Sequence, residues 1–178
     1  MNLNFLNKRH FAALLAALFL GPVLAQGTST LAKSVPAVAT LPKIEGKTID
    51  GTPFNLSTLK GKVVLVMFWS TGCAVCRDKM PELRNNYAGW AGKPFELVAV
   101  STDSRVQDLL DYERIISRTV PMKQRFVQLW TGESGYQDNL GKHNTLPAAY
   151  LLDKTGKVVE RYVGRIPPEA WDRIADLI

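Results

Sequence analysis

Val63-Val64-Leu65-Val66-Met67-Phe68-Trp69-Ser70-Thr71-Gly72-Cys73-Ala74-Val75-Cys76 is the stretch on which the reading of this chain turns. Its first six residues are apolar and rich in β-branching, and an unbroken run of that kind suits a central strand covered on both faces. Its end holds both cysteines of the chain, three positions apart. From Cys73 to about Ala88 the spacing of Met80, Leu83 and Tyr87 predicts a helix, with Pro81 as an interior flaw that should kink it. The cysteines therefore fall where a strand hands over to a helix, and the unpaired N–H groups and dipole of a helix start favour a thiolate. In this geometry Cys73, at the exposed tip, would attack a disulfide, and Cys76 would resolve the mixed disulfide.

Outward from this core the pattern alternates. Upstream, Asp50-Gly51 lies between Lys47-Thr48-Ile49 and Thr52-Pro53-Phe54 and predicts a short hairpin. Downstream, Phe95 to Val100 reads as a strand, Ser101-Thr102-Asp103-Ser104 as a loop offering N-caps, and Val106 to about Ile116 as a helix. Phe126 to Trp130 is a third strand, and Gly132 to Asn144 an irregular, partly helical connection. Ala148 to Leu152 and Lys157 to Val163 flank the turn Asp153-Lys154-Thr155-Gly156, a hairpin. Pro167 and Pro168 open a last helix through Ile178. This order predicts an α/β fold, a central mixed sheet with helices on both faces.

The 178 residues suffice for one well-buried domain and scarcely for two. A hydrophobic fraction of 46% and a charged fraction of 21% exclude collagen-like, coiled-coil and fully disordered classes. Residues 1–25 have the parts of a secretory signal: Lys8-Arg9-His10, an apolar core from Phe11 to Leu20, and Gly21-Pro22 before Val23-Leu24-Ala25, with cleavage expected before Gln26. The alternative is an uncleaved membrane anchor, for which the stretch from Phe11 to Ala25 falls short of the roughly 20 residues a span needs. The linker 26–41 is small, polar and without period, and the domain proper runs over 42–178. Removing Lys8 and Arg9 takes the net charge from +6 to +4, a mild and scattered excess that fits a solvated surface better than a nucleic-acid groove. An exported chain would work outside the cytosol, where disulfides persist.

Other uses of two cysteines compete. Structural zinc needs about four ligands, and outside the signal the chain adds only His143. Haem attachment needs a histidine after the second cysteine, where Arg77 stands. A purely structural disulfide over so short a loop removes little unfolded-chain entropy. A Cu(I) site on the two thiolates, with Met80 or His143, suits the ligand chemistry and is the competing reading. No other cofactor is expected.

The run from Lys60 to Leu83, which contains Trp69-Ser70-Thr71-Gly72-Cys73-Ala74-Val75-Cys76 and Met80-Pro81, resembles extracytoplasmic thioredoxin-like proteins of the TlpA/ResA family. Thr145-Leu146-Pro147-Ala148-Ala149-Tyr150-Leu151-Leu152-Asp153, followed by Gly156 and Gly164, is similar to the family's later segment. The resemblance covers about residues 42–178 and implies a thioredoxin-like fold with an N-terminal β-hairpin extension. It implies a cis bond at Pro147 facing the cysteines, and backbone groups of Leu146 that receive an extended client by strand addition. Trp69 is then a flat contact surface beside Cys73 or a packing aromatic. His143 is given no catalytic role, and Trp90, Trp130 and Trp171 are read as packing.

Two positions depart from the family. Met67 stands where thioredoxins carry a buried Asp, and Lys79 where some relatives carry a Glu, leaving Asp78, Glu82 and Asp103 as stand-ins for an acid/base. The function implied is a periplasmic thiol:disulfide oxidoreductase that reduces chosen protein disulfides. A membrane thiol-transfer reductase would recharge it, and its clients would be of the cytochrome c or cytochrome oxidase maturation type. Ala74-Val75 lacks the His of strongly oxidising relatives, and a peroxide-reducing enzyme of the related type would carry separated cysteines.

Overall fold

The run that dominates the sequence becomes the spine of the structure, a computed structural model that describes residues 41–178. The expected signal and linker, 1–25 and 26–41, lie outside the described residues except for Leu41. In chain order the strands are β1 (Ile44–Lys47), β2 (Pro53–Asn55), β3 (Val63–Trp69), β4 (Phe95–Ser101), β5 (Val127–Trp130), β6 (Gln137–Asp138), β7 (Ala148–Leu152) and β8 (Val158–Val163). The helices are α1 (Ala74–Gly89), α2 (Val106–Thr119) and α3 (Glu169–Leu177), and short 3-10 turns follow β2 and α2.

The main sheet has the order β5-β4-β3-β7-β8, parallel on the β5-β4-β3 side and antiparallel on the other. β3 is central and all seven of its residues are buried. Side chains alternate across a strand, so Leu65, Met67 and Trp69 enter one hydrophobic cluster and Val64, Val66 and Phe68 the other.

The cover differs from expectation. Buried residues of all three helices (Leu83 in α1, Leu109 in α2, Ile174 in α3) belong to the Trp69 face. Strands β3, β4 and β5 succeed one another in one direction, and crossovers of one hand along such a series put their helices on one face. The Phe68 face is covered instead by the N-terminal hairpin and the 3-10 turn after it, through Ile44, Phe54 and Leu56.

That hairpin is part of a second sheet, β2-β1-β6, antiparallel throughout. The segment 132–144, expected to be partly helical, contains no helix. It makes turns and the two-residue β6, which pairs Ile44 with Asp138 and Glu45 with Gln137. Gly46 permits the approach, because a Cβ there would stand 3.2 Å from Tyr136 Cα. Among the described residues no helix is long and apolar enough to cross a membrane.

Candidate active site

Cys73 is the N-cap of α1, and its extended backbone lets Sγ accept the N–H of Cys76 at 3.1 Å. The two cysteines form a disulfide with Cα atoms 5.2 Å apart. Their exposures differ: Cys76 is fully buried among Met67, Met80 and Leu83, whereas Cys73 is half-buried at the helix tip. A reagent from solvent meets Cys73 before the fully buried Cys76.

The loop that carries Cys73 is fixed by a residue 32 positions away. Asp103, itself buried, accepts the N–H of Thr71 at 3.0 and 3.1 Å, the Thr71 hydroxyl at 2.8 Å and the Ser101 hydroxyl at 2.6 Å. On the other side Arg77 Nη1 donates to the Thr71 carbonyl at 2.6 Å. Thr102 completes the clamp, its N–H donating to the Trp69 carbonyl at 2.8 Å. Charge-assisted bonds of this kind are roughly twice as strong as neutral ones, so the turn before Cys73 is held from both sides. Asp103 thus fixes the loop, a role the sequence does not disclose. Nor does its segment cap α2, whose N-cap is Arg105 without a side-chain bond.

Trp69 does not offer a contact surface. Its side chain has no solvent exposure, its ring packs edge-on against Tyr112 at 4.9 Å between centroids, and Nε1 donates to the buried Gln128 at 3.2 Å. The strand ends one residue too late for an exposed ring, because pairing with Ser101 carries Trp69 into the sheet. Leu146-Pro147 is a cis peptide. Pairing of Phe68 with Ala148 sets Pro147 one step further, level with Trp69 at the end of β3. The Pro147 carbonyl accepts from Gly164 at 2.8 Å, while no hydrogen bond within the described residues takes the N–H or C=O of Leu146.

The carboxylate candidates separate clearly. Asp78 is exposed and 4.0 Å from Arg165. Glu82 receives the Lys79 ammonium at 2.7 Å and the Trp171 indole N–H. Burial pushes the Glu82 carboxyl up, but the bonds from Lys79 and Trp171 outweigh it and hold the group below its ordinary range. Lys79 is buried, and its partner carboxylate is nearer solvent. Met67 is wholly buried between Ala99 and Ala149 in the same cluster as Cys76. His143 lies on the opposite face, its ring 3.8 Å from that of Phe68, so of the two extra copper ligands considered only Met80 shares the cysteine cluster.

A cysteine pair capping the helix that leaves the central strand of a mixed sheet defines a thioredoxin-like protein with a dithiol/disulfide site. Residues 38–170 match the AhpC/TSA family, to which the chain belongs. It is similar to the thiol-disulfide oxidoreductase ResA of Bacillus thuringiensis (strain Al Hakam), 29% identical over 116 residues that make up 65% of this chain and 63% of that one. ResA of Bacillus subtilis is 32% identical over 115 residues, 65% of this chain and 60% of that one. These matches thus span less than two thirds of the relatives' own length. Among solved structures, the thioredoxin domain of a thiol-disulfide oxidoreductase from Bacteroides vulgatus superposes with a TM-score of 0.59 at 26% identity, covering 80% of this chain and 98% of that one. The resemblance to TlpA/ResA proteins seen in the motif therefore extends to whole-domain similarity.

Proposed function

We propose that the protein is a periplasmic thiol:disulfide oxidoreductase that works as a reductant. The observation that carries this reading is the unequal exposure of two disulfide-linked cysteines at one helix start. In the reduced state the Cys73 thiolate attacks one sulfur of a client disulfide, forming a mixed disulfide and releasing the first client thiolate. The Cys76 thiolate then attacks the Cys73 sulfur, which closes the Cys73–Cys76 disulfide and releases the second client thiolate. The proton from Cys76 passes to the departing thiolate. Two electrons have moved to the client, and a membrane thiol-transfer reductase is the proposed donor that restores the dithiol. Disulfide clients of the cytochrome c or cytochrome oxidase maturation type fit this chemistry. The oxidised pair is a disulfide and not a peroxide-reducing arrangement of separated cysteines.

Replacing Cys76→Ser should trap a mixed disulfide through Cys73, visible as a reductant-sensitive adduct on a non-reducing gel. Equal trapping by Cys73→Ser would reverse the two roles. The reduction potential of the pair is expected well below about −200 mV, towards the thioredoxin end of the range. Copper delivery is favoured by one observation, Met80 packed with Cys76. Stoichiometric Cu(I) binding without disulfide exchange would replace the reductase reading with it.

A further inference from the structure

At the carboxyl ends of β3, β4 and β5, on the face away from the cysteines, lies a cavity of about 550 Å³. Its walls include Phe68, Thr102, Thr131, Tyr136, Asp138 and His143. Crevices outside the carboxyl ends of parallel strands are common ligand sites in α/β folds. Thr102 ties this one to the active-site loop, since it lines the cavity and also binds the Trp69 carbonyl. The loop 141–144 that forms its rim leads directly into Leu146-Pro147.

Leu146 sits between the two sites. Among the described residues it is the one packed against both hydrophobic clusters, that of the cysteines and that of Phe68. Its unpaired backbone groups are those that would pair with an extended client. Successive side chains of a strand point to opposite sides. A client strand on Leu146 with its cysteine turned towards Cys73 therefore turns the residues on either side of that cysteine towards the cavity.

The chemistry of the walls narrows the guest. The half-buried ring of His143, seated on the buried ring of Phe68, offers a flat face, and Tyr150 stands edge-on to His143 at 5.7 Å. Asp138 opposes an acidic guest, while Lys142 on the rim and Arg161, stacked over the Tyr150 ring at 5.5 Å, oppose a basic one. The Asp138 carboxylate and the threonine hydroxyls supply acceptors. Burial holds the His143 imidazole below its ordinary range, so it is neutral at neutral pH and adds no charge.

We propose that this cavity is a recognition subsite for a neutral aromatic side chain bearing a hydrogen-bond donor, tyrosine or tryptophan, on the client residue adjacent to the target cysteine. The inference rests on the reductase reading and deepens it by naming a feature of the client. Reduced protein is given short peptides that carry one cysteine as a mixed disulfide with glutathione. They differ only in the neighbouring residue, which is Ala, Tyr, Trp or Glu on either side. On at least one side Tyr and Trp should raise kcat/KM about tenfold over Ala, about 1.4 kcal/mol, and Glu should lower it. In His143→Ala and Asp138→Ala chains the Tyr-to-Ala ratio should fall to within about twofold, less than aromatic contact and one hydrogen bond together supply. Equal rates for all peptides, or a ratio that survives both substitutions, overturns the subsite alone. Failure to reduce any peptide overturns the reductase reading instead.

Discussion

The two faces of the central sheet treat their polar groups differently. On the helix face, where the cysteines lie, the buried polar residues are bonded: Asp103 to Thr71, Gln128 to Trp69, Lys79 to Glu82 and Arg84 to the Tyr112 hydroxyl. Among the described residues Glu113 Oε1, in α2, is the exception there. On the hairpin side, Glu133 Oε2 and both ring nitrogens of His143 are buried without a hydrogen bond. A buried polar group left unpaired costs about 1–3 kcal/mol. The helix face is thus built for rigidity around a reaction, and the hairpin face keeps unmet hydrogen-bonding capacity beside a cavity. The contrast accords with the proposed chemistry on one side and the proposed recognition on the other.

The largest effect should come from breaking the satisfied side at its centre. Asp103→Ala removes the acceptor for the Thr71 N–H and hydroxyl and leaves a partly buried donor unpaired. Stability to urea should fall by about 2–3 kcal/mol, the scale of hydrogen bonds to a charged group. Exchange through Cys73 should slow in the folded fraction, since its loop has lost one jaw of the clamp. Asp103→Asn, which keeps one acceptor oxygen, should recover part of both. Unchanged stability and exchange in the Ala chain would show that Arg77 and Thr102 hold the loop without Asp103.

A pair of substitutions tests the contrast itself. Gln128→Leu strands the buried Trp69 indole N–H and should cost about 1–2 kcal/mol. His143→Phe keeps a ring against Phe68 and deletes two unpaired nitrogens, so it should stabilise the fold by about 1 kcal/mol. Opposite signs in thermal or urea unfolding support the division between the faces. Two losses of similar size would mean that the hairpin face is as fully satisfied in solution as the helix face.

What the sequence discloses follows the same division. β3 and the helix start behind it are legible because their signals are local, an unbroken apolar run and two cysteines in one turn. The cis bond at Pro147 came through resemblance, since spacing alone gives only an X–Pro bond entering a strand. The 132–144 segment is not legible, because β6 has only two residues and exists by pairing with β1, some 90 positions earlier. Trp69 misleads for a related reason: whether a ring at a strand end is buried depends on its neighbours, here Ser101 and Gln128. Asp103 carries no local mark of its clamp, and its place beside cap-forming residues points to a helix start that it does not cap.

The smallest effect is expected at Glu82, where the helix face meets solvent. Lys79 and the Trp171 indole hold its carboxyl below the ordinary value of 4.5, so the unfolded chain takes up a proton more readily than the folded one. Stability from this group is present above pH 4.5 and is lost as the pH falls through the lowered folded value. The Glu82 side chain is 41% exposed, and solvent screening keeps the contribution to a fraction of a kcal/mol. Glu82→Gln should therefore flatten the acid limb of a urea-midpoint profile below pH 4.5 and change the neutral plateau little. If acid sensitivity is undiminished in the Gln chain, Lys79 does not depend on Glu82 for its place in the core. The cation is then held there by packing of its own stem, and the helix face would owe its order to shape more than to paired charge.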